Sequence, residues 1–396
     1  MRTSPSLGPP GSGCDPVALS VVVPTRDRTT RLLLTLTALG QQTLPPDRYE
    51  VVLVNDAADA TGATDLKSVL AAVPDHVPLR TAATGGRGPA RARNQGAALA
   101  RGEVLLFLDD DTVATPGLLD AHLRAHRAAG PLVVHGAVTD LSAFALTPDP
   151  AVLRPALVGA RGRSIDAAAL ADLPEHARLF GPRRSFIERT ARAVLDTPGR
   201  ERLHWLACIG TNTSVRRTVF DRVGGFDEHY GDLWGGEDLE LGLRLKAAGA
   251  AFALLDATAY HLPGLRRDAA DLLARFWRLV AERHGDPRLA EVGAFLAGRL
   301  TLDALADLLT PAVAPDRARS CTEFPRGVAS PGTAASGVVV PRRQPPTPEG
   351  RGGTPTVSTL PLGPAAREVP PSSALDSTAP DTDPSPTREL RTGPGP

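Results

Sequence analysis

The chain has 396 residues, 42% of them hydrophobic, enough for one large α/β domain or two ordinary ones with a real core. Its 44 basic and 44 acidic side chains cancel to a formal charge of zero, which argues against a protein built mainly to bind nucleic acid or an acidic membrane surface. Cys14, Cys208 and Cys321 lie far apart and belong to no C-x-x-C pair or His/Cys cluster, so neither a disulfide framework nor a zinc site is expected.

The N-terminal run MRTSPSLGPPGSGCDP lacks the apolar core of a signal peptide, and no stretch of about 18 apolar residues follows it. A cytoplasmic protein without a transmembrane segment is expected, with peripheral membrane contact left open. Residues 1–17 read as disordered, and order is expected from about Ala18, where ALSVVVPT reads as a buried, Val-rich strand. RTTRLLLTLTALGQQ then carries apolar residues at a helical period, YEVVLVNDA is a second strand and DLKSVLAAV a short helix. PARARNQGAALARG is an Ala-rich helix stopped by Gly102, and EVLLFLDDD is the next strand. Thr115 and Pro116 suit the N-cap and first position of a helix over PGLLDAHLRAHRAAG, and PLVVHGAV is a further strand.

From about Leu146 to Glu201 loops and short helices are expected. LELGLRL alternates like a half-buried strand, yet Leu241, Leu245 and Ala248 keep helical spacing. Glu237 and Asp238 at its start and Gly249 at its end favour the helix, since carboxylates suit the positive end of the helix dipole. AFALLDATAYH is the last strand, and Arg267 to about Leu309 hold two or three helices. Residues 312–396 turn to Pro, Ser, Thr, Gly and Arg, with too few apolar positions to offset ordering entropy, and read as a disordered tail.

Strands alternating with helices imply a mostly parallel sheet covered on both faces, with ligands at the carboxyl ends of its strands. Asn55 and Asp56 end one strand, and Asp109, Asp110 and Asp111 end another. Unit charges ~4 Å apart repel by about 4 kcal/mol at an effective dielectric of about 20, so this triplet needs solvent or a cation. If the segment is extended, Asp109 and Asp111 share a face and Asp110 points away. Hard cations such as Mg²⁺ and Mn²⁺ bind through one or two carboxylates plus phosphate oxygens; a solvated acidic loop fits the triplet equally well.

In WGGED the glycines allow a mobile loop, and a carboxylate near a helix start can be aimed at a hydroxyl as general base. The dipole lowers its pKa, so that role requires partial desolvation; an ordinary acidic helix start is the alternative. Arg87, Arg91 and Arg93 flank a helix start that suits phosphate, or they lie on an exposed face. His261 closes a strand as a metal ligand or as a structural histidine.

Taken in order, SVVVPTRDR, VVLVNDA, ARNQGAALARGEVLLFLDDD, NTSVRRTVFDRVGGFDE and WGGEDLELGLRL resemble the family 2 glycosyltransferases of GT-A fold over about residues 18–265. WGGED is also similar to galactosyltransferase-type catalytic segments. The resemblance implies an α/β, Rossmann-like nucleotide-diphospho-sugar transferase fold, with residues 18–140 as nucleotide-binding half, 141–265 as acceptor-binding half and 266–311 as a helical extension. It implies a hexosyltransferase-type enzyme that moves a sugar from a nucleotide diphosphate, usually UDP, to a hydroxyl of a glycan, lipid or natural product, inverting the anomeric carbon.

Carried over by position, Pro24, Thr25 and Arg28 line the first nucleotide loop, Asp56 holds the base, and Arg93 and Asn94 approach the donor. Asp109 and Asp111 are the outer residues of a D-x-D motif for Mn²⁺ or Mg²⁺, Asp110 faces the donor sugar or ribose, and His261 is a third metal ligand. Gly236 and Glu237 bind the acceptor, Trp234 stacks on it or packs in the core, and Asp238 is the general base. The stretch NDAAD departs from the usual pattern by lacking Gly-Ser after the acidic residue. The alternatives are a non-catalytic sugar-nucleotide-binding protein and a metal-dependent nucleotidyltransferase, whose Gly-rich, Lys-containing loop is absent from PTRDRTT.

Overall fold

The computed structural model describes residues 17–26, 29–58, 60–127, 130–146, 155–159, 162–264 and 268–310, all within one compact unit. The disorder expected for residues 1–17 and 312–396 falls outside them, except at Val17, and so does Arg28.

Strand β1 (Leu19–Thr25), helix α1 (Thr29–Gly40), β2 (Tyr49–Asn55), α2 (Ala60–Ala72), β3 (Leu79–Ala83), α3 (Pro89–Leu99) and β4 (Val104–Phe107) alternate along the chain. β5 (Thr112–Ala114), α4 (Leu118–Ala125) and β6 (Leu132–Asp140) follow. A small antiparallel sheet of β7 (Ala143–Leu146), β8 (Ala156–Gly159) and β9 (Ser164–Asp166) comes next, then α5 (Leu173–His176) and α6 (Phe186–Asp196). β10 (Thr213–Arg216), α7 (Arg217–Arg222), α8 (Glu237–Ala247) and β11 (Ala251–His261) complete the main sheet, and α9 (Ala269–His284), α10 (Glu291–Leu296) and α11 (Leu302–Leu308) form the helical extension.

The main sheet has eight strands in the order β3-β2-β1-β4-β10-β6-β11-β5. β3, β2, β1 and β4 run parallel, as do β6 and β11, while β10 is antiparallel to both of its neighbours and β5 to β11. This is the mostly parallel, helix-flanked GT-A architecture. Residues 21–23 of β1 and 51–54 of β2 are continuous apolar runs because both faces are covered, and their alternate residues feed separate cores. Val21 and Val23 pack with Leu33 and Leu36 of α1, whereas Val22 packs with Ala92 and Ala97 of α3 and with Phe107. At Gly96 a methyl group would collide with Val22, so the glycine lets α3 lie close on β1 and fixes the height at which α3 presents its side chains. A third core gathers Trp205, Leu239, Phe276 and Trp277 beneath the start of α8.

α8 is helical, as its charged start and glycine stop predict, with Leu239, Leu241 and Leu245 buried. Six strands escape the sequence reading: the edge strand β3, the three-residue β5, the small-sheet strands β7, β8 and β9, of which β8 and β9 replace loops and short helices expected there, and β10. α4 starts at Leu118 after Gly117, not at Pro116. Thr115 caps nothing, because its Oγ1 donates to the Thr258 carbonyl at 2.8 Å, which holds it against β11.

Beneath the sheet centre lies a buried polar chain. His126 Nε2 and His122 Nδ1 each lie 2.8 Å from Ser214 Oγ, and His122 Nε2 lies 2.9 Å from Asn212 Oδ1. The amide oxygen only accepts, so His122 carries its proton on Nε2, Ser214 donates to Nδ1 and His126 donates to Ser214. Burial pushes the His122 imidazole down to about 3 and that of His126 down to about 4. Both are neutral when folded, whereas the unfolded chain takes up protons below about pH 6.5. Their stabilisation is therefore complete above about pH 6.5 and declines as pH falls towards the folded values, by up to about 2 kcal/mol per histidine between pH 6.5 and 5. Urea unfolding at pH 7 and pH 5 should show this loss, and His126→Asn should reduce the difference between the two; an unchanged difference would refute the assignment.

Candidate active site

β4 ends at Phe107 and β5 begins at Thr112, so Asp109, Asp110 and Asp111 sit in the turn between them and not on an extended strand. The alternation expected for them is therefore replaced by three separate anchorages. Asp109, its side chain 32% exposed, accepts from Arg93 Nη2 at 2.8 Å and from Thr211 Oγ1. Asp110 is buried and accepts from Thr25 Oγ1 at 2.6 Å. Asp111 is buried, with Arg31 Nη1 and His261 Nε2 each 3.5 Å from its oxygens. Arginines and hydroxyls of the protein itself thus make the triplet tolerable. Burial opposes ionisation of Asp109, yet the Arg93 guanidinium and the Thr211 hydroxyl hold its carboxyl below the usual carboxylate range.

His261 ends β11 beside Thr112, and its Nδ1 lies 2.9 Å from Asp140 Oδ1, which turns Nε2 towards Asp111. Burial works against its charge, but Asp140, Asp111 and Asp109 together raise its pKa above the ordinary histidine value. Among the described residues no three His, Cys, Asp or Glu side chains form a ready metal-ligating group. Asp111 and His261 suit a hard divalent ion as an oxygen and an imidazole ligand, with Asp140 behind the imidazole as its outer support. Each oxygen of Asp109 accepts one hydrogen bond and keeps a further lone pair, so Asp109 can join that pair while Arg93 and Thr211 hold it in place.

Asp56 follows β2 and is buried against the start of α3, where it accepts from Arg87 N at 2.8 Å, from Gly88 N at 3.0 Å and from Thr84 Oγ1. The helix end that could have received phosphate thus already holds a carboxylate of the chain. Arg91 pairs with Glu228 at 2.7 Å, while Arg93, one turn into α3, turns inward and is buried. Its Nη1 donates to Glu237 Oε1 at 2.8 Å, its Nη2 to Asp109, and its guanidinium carbon lies 5.5 Å from the centre of the Phe226 ring. Asn94 faces the stretch after α7, donating to the Phe226 carbonyl at 2.9 Å and to Glu228 Oε1 at 2.8 Å. Pro24 is half-buried at the end of β1, next to Thr25.

The WGGED segment leads into α8. Gly235 and Gly236 have φ of +108° and +135°, and a Cβ on Gly236 would stand 2.8 Å from Trp277 Nε1, so this turn requires glycine. Glu237 is buried and locked by Arg93 and by the Gly235 and Gly236 N–H groups at 3.3 and 3.2 Å. Asp238 accepts from Gly210 N at 2.6 Å and from Leu239 N at 2.8 Å. Burial, aided by repulsion from Glu237, pushes the Asp238 carboxyl up to about 6 against the opposing backbone donors and Arg93. Desolvation thus outweighs the helix dipole. Trp234 is 40% exposed, which removes it from the core.

Gly210, Thr211, Arg31 and Asp140 hold the site together and went unread in the sequence. Their partners lie far along the chain, 102 residues apart for Thr211 and Asp109, and no local pattern marks such pairs.

The model of Glycosyl transferase family 2 matches residues 20–143, and that of the N-terminal domain of galactosyltransferase matches residues 193–263. A validoxylamine A glucosyltransferase of Streptomyces hygroscopicus subsp. limoneus is 33% identical over 249 residues, 61% of this chain and 50% of that protein. The uncharacterized glycosyltransferase YfnE of Bacillus subtilis is 29% identical over 248 residues, 59% of this chain and 62% of that one. The chain spans about half the length of the validoxylamine A glucosyltransferases that it matches. Among solved structures, the mannosyltransferase PcManGT from Pyrobaculum calidifontis, in complex with GDP-Man and Mn²⁺, is 17% identical over 74% of this chain and 78% of its own, with a TM-score of 0.43.

Removing one partner of a buried ion pair costs about 3 to 5 kcal/mol, since the other charge stays behind. Arg93→Met should therefore lower the unfolding free energy by about 3 kcal/mol, the low end of that range because Asp109 is partly exposed. Adding Glu237→Gln should restore part of it, and a double variant no more stable than the single one in urea unfolding would refute this charge balance.

Proposed function

Because the chain belongs to the family 2 glycosyltransferases, we propose that it moves a sugar from a nucleotide diphosphate, UDP in the first instance, to an acceptor hydroxyl with inversion at the anomeric carbon. The observation that carries this is the contrast between Asp109, held ionised by Arg93, and Asp238, whose carboxyl is pushed up to about 6. Carboxylates whose environments drive their pKa values apart take different roles. Asp238 at about 6 is mostly ionised at neutral pH and still basic enough to receive a proton.

In the proposed step the acceptor oxygen bonds to the anomeric carbon while the bond from that carbon to the diphosphate oxygen breaks, its electron pair leaving with the diphosphate. The acceptor proton passes to Asp238. Glu237, fixed by Arg93 and two backbone N–H groups, stands beside it to orient acceptor hydroxyls, and Trp234 offers an exposed ring for a sugar face. Asp111 and His261, with Asp109, would hold Mn²⁺ or Mg²⁺; such an ion would neutralise charge on the departing diphosphate. Thr25, next to Pro24, anchors Asp110 on the donor side, and Asp56 orders the loop between β3 and α3 at the end of the strands, where the nucleotide base is placed in this reading. Glucosyl donors are the first to screen, since two of the relatives are named as glucosyltransferases. Their name makes validoxylamine A the first acceptor to try.

Calorimetric titration of UDP with Mn²⁺, then with EDTA, tests the nucleotide half, and transfer from UDP-glucose tests the whole. Asp238→Asn should keep metal-dependent UDP binding while transfer falls at least about a hundredfold. Asp111→Ala should lose the metal-dependent part of UDP binding. Equal loss of UDP affinity in both would overturn this division of labour, and UDP bound without turnover on any donor would leave a binding protein. In the wild type, kcat/KM should fall about tenfold per pH unit below about 6 and level off above it, because only ionised Asp238 accepts the proton.

A further inference from the structure

Gly210, Thr211 and Asn212 form the approach to β10 and touch both halves of the site. Gly210 N donates to Asp238 Oδ2 at 2.6 Å, and Thr211 Oγ1 donates to Asp109 Oδ2. Asn212, directly after these donors, has φ of +63°, and no other non-glycine residue among those described has a positive φ. Asparagine tolerates this left-handed conformation better than most residues, but it still needs a reason to stay there.

The reason is a fully buried set of bonds. Asn212 Nδ2 donates to the carbonyls of Ala137 and Ala257 at 3.0 Å each, and Oδ1 accepts from His122 Nε2. Its own carbonyl accepts from Gly136 N at 2.8 Å, and a methyl group on Gly136 would collide with the Asn212 amide. The amide thus bridges β6, β11 and α4, three rigid elements that fix both its position and its orientation. Side-chain locking of a strained residue beside catalytic groups is how a scaffold imposes geometry on a site.

We propose that Asn212 is a positioning residue: by locking the backbone after Thr211 it aims the Gly210 N–H at Asp238 and the Thr211 hydroxyl at Asp109, and so sets base and donor carboxylate relative to each other. The proposal rests on the transfer reading for its catalytic consequence, while the aim of the two donors can be tested without turnover. The other groups facing Asp238 are Glu237 and the Leu239 N–H of α8, Arg93 of α3 and the Cys208 thiol.

Asn212→Gly keeps access to positive φ but removes the three side-chain bonds, and Gly136→Ala presses on the Asn212 amide from β6 without changing residue 212. The side-chain carboxyl resonance of Asp238 is followed by pH titration in protein labelled with ¹³C-aspartate, and assigned by its absence in Asp238→Asn. Loss of the Gly210 hydrogen bond should move its titration upward by about one unit in either variant, since a bond to a charged group is worth about that much. In transfer assays the acid limb of kcat/KM should move by the same amount, and kcat on the plateau should drop about tenfold or more through misalignment. Unchanged Asp238 titration in both folded variants would overturn the proposal. A wild type without transfer would sink the proposed function, while the titration would still decide the positioning. If Asn212→Gly does not fold, Gly136→Ala alone decides it.

Discussion

The site depends on one buried guanidinium. Arg93 reaches Asp109 with one nitrogen and Glu237 with another, and so joins the turn after β4 to the start of α8 across the carboxyl edge of the sheet. Two carboxylates from opposite halves of the chain could not lie this close in a poorly solvated cleft without a cation between them. A lysine offers no planar fork with two donors at a fixed angle, so arginine suits a place where two segments must be set against each other. The features that hold Arg93 follow from this need: Gly96 lets α3 settle on β1, Asp56 seats the start of that helix, and Phe226 covers the guanidinium face.

Much of this was legible in the sequence. The Val- and Leu-rich strands, the helix at Glu237 and the acidic groups at strand ends follow from local periodicity and from the place where parallel sheets collect ligands. The second layer was not legible. Gly210, Thr211 and Asp140 act through contacts between residues remote in sequence, and their types are ordinary. Thr115 shows the same limit from the other side, since a good capping residue was drawn to a carbonyl of β11 by the sheet. The aspartate triplet stands out in the sequence, but its anchorage does not, because the arginines that reach it come from α1 and α3.

The carboxylates of the cleft have been divided by environment. Thr25, Thr211, Arg31 and Arg93 surround the triplet after β4 with donors, whereas half-buried Asp238 has backbone N–H groups and a repelling neighbour. Residues of the same chemical type are thereby given different proton affinities, which is the ground for the different roles proposed for them. Asp56 has a third environment, with the loop backbone and Thr84 as its partners.

The reversed strand β10 also governs the order in which the chain can be built. Within the sheet, the β3-β2-β1-β4 group and the β6-β11-β5 group are hydrogen-bonded to each other only through it, with Thr213 opposite Phe107 on one side and His135 on the other. A chain emerging from the ribosome can pair its first four strands early, but the open edge of β4 must wait until residues 213–216 arrive, some hundred residues later. Until then an apolar strand edge lies bare, the kind of surface that recruits other chains. The segment that carries Gly210 and Thr211 into the candidate site is therefore also the one that covers this edge, and a chain lacking residues 213–216 would leave β4 unpaired.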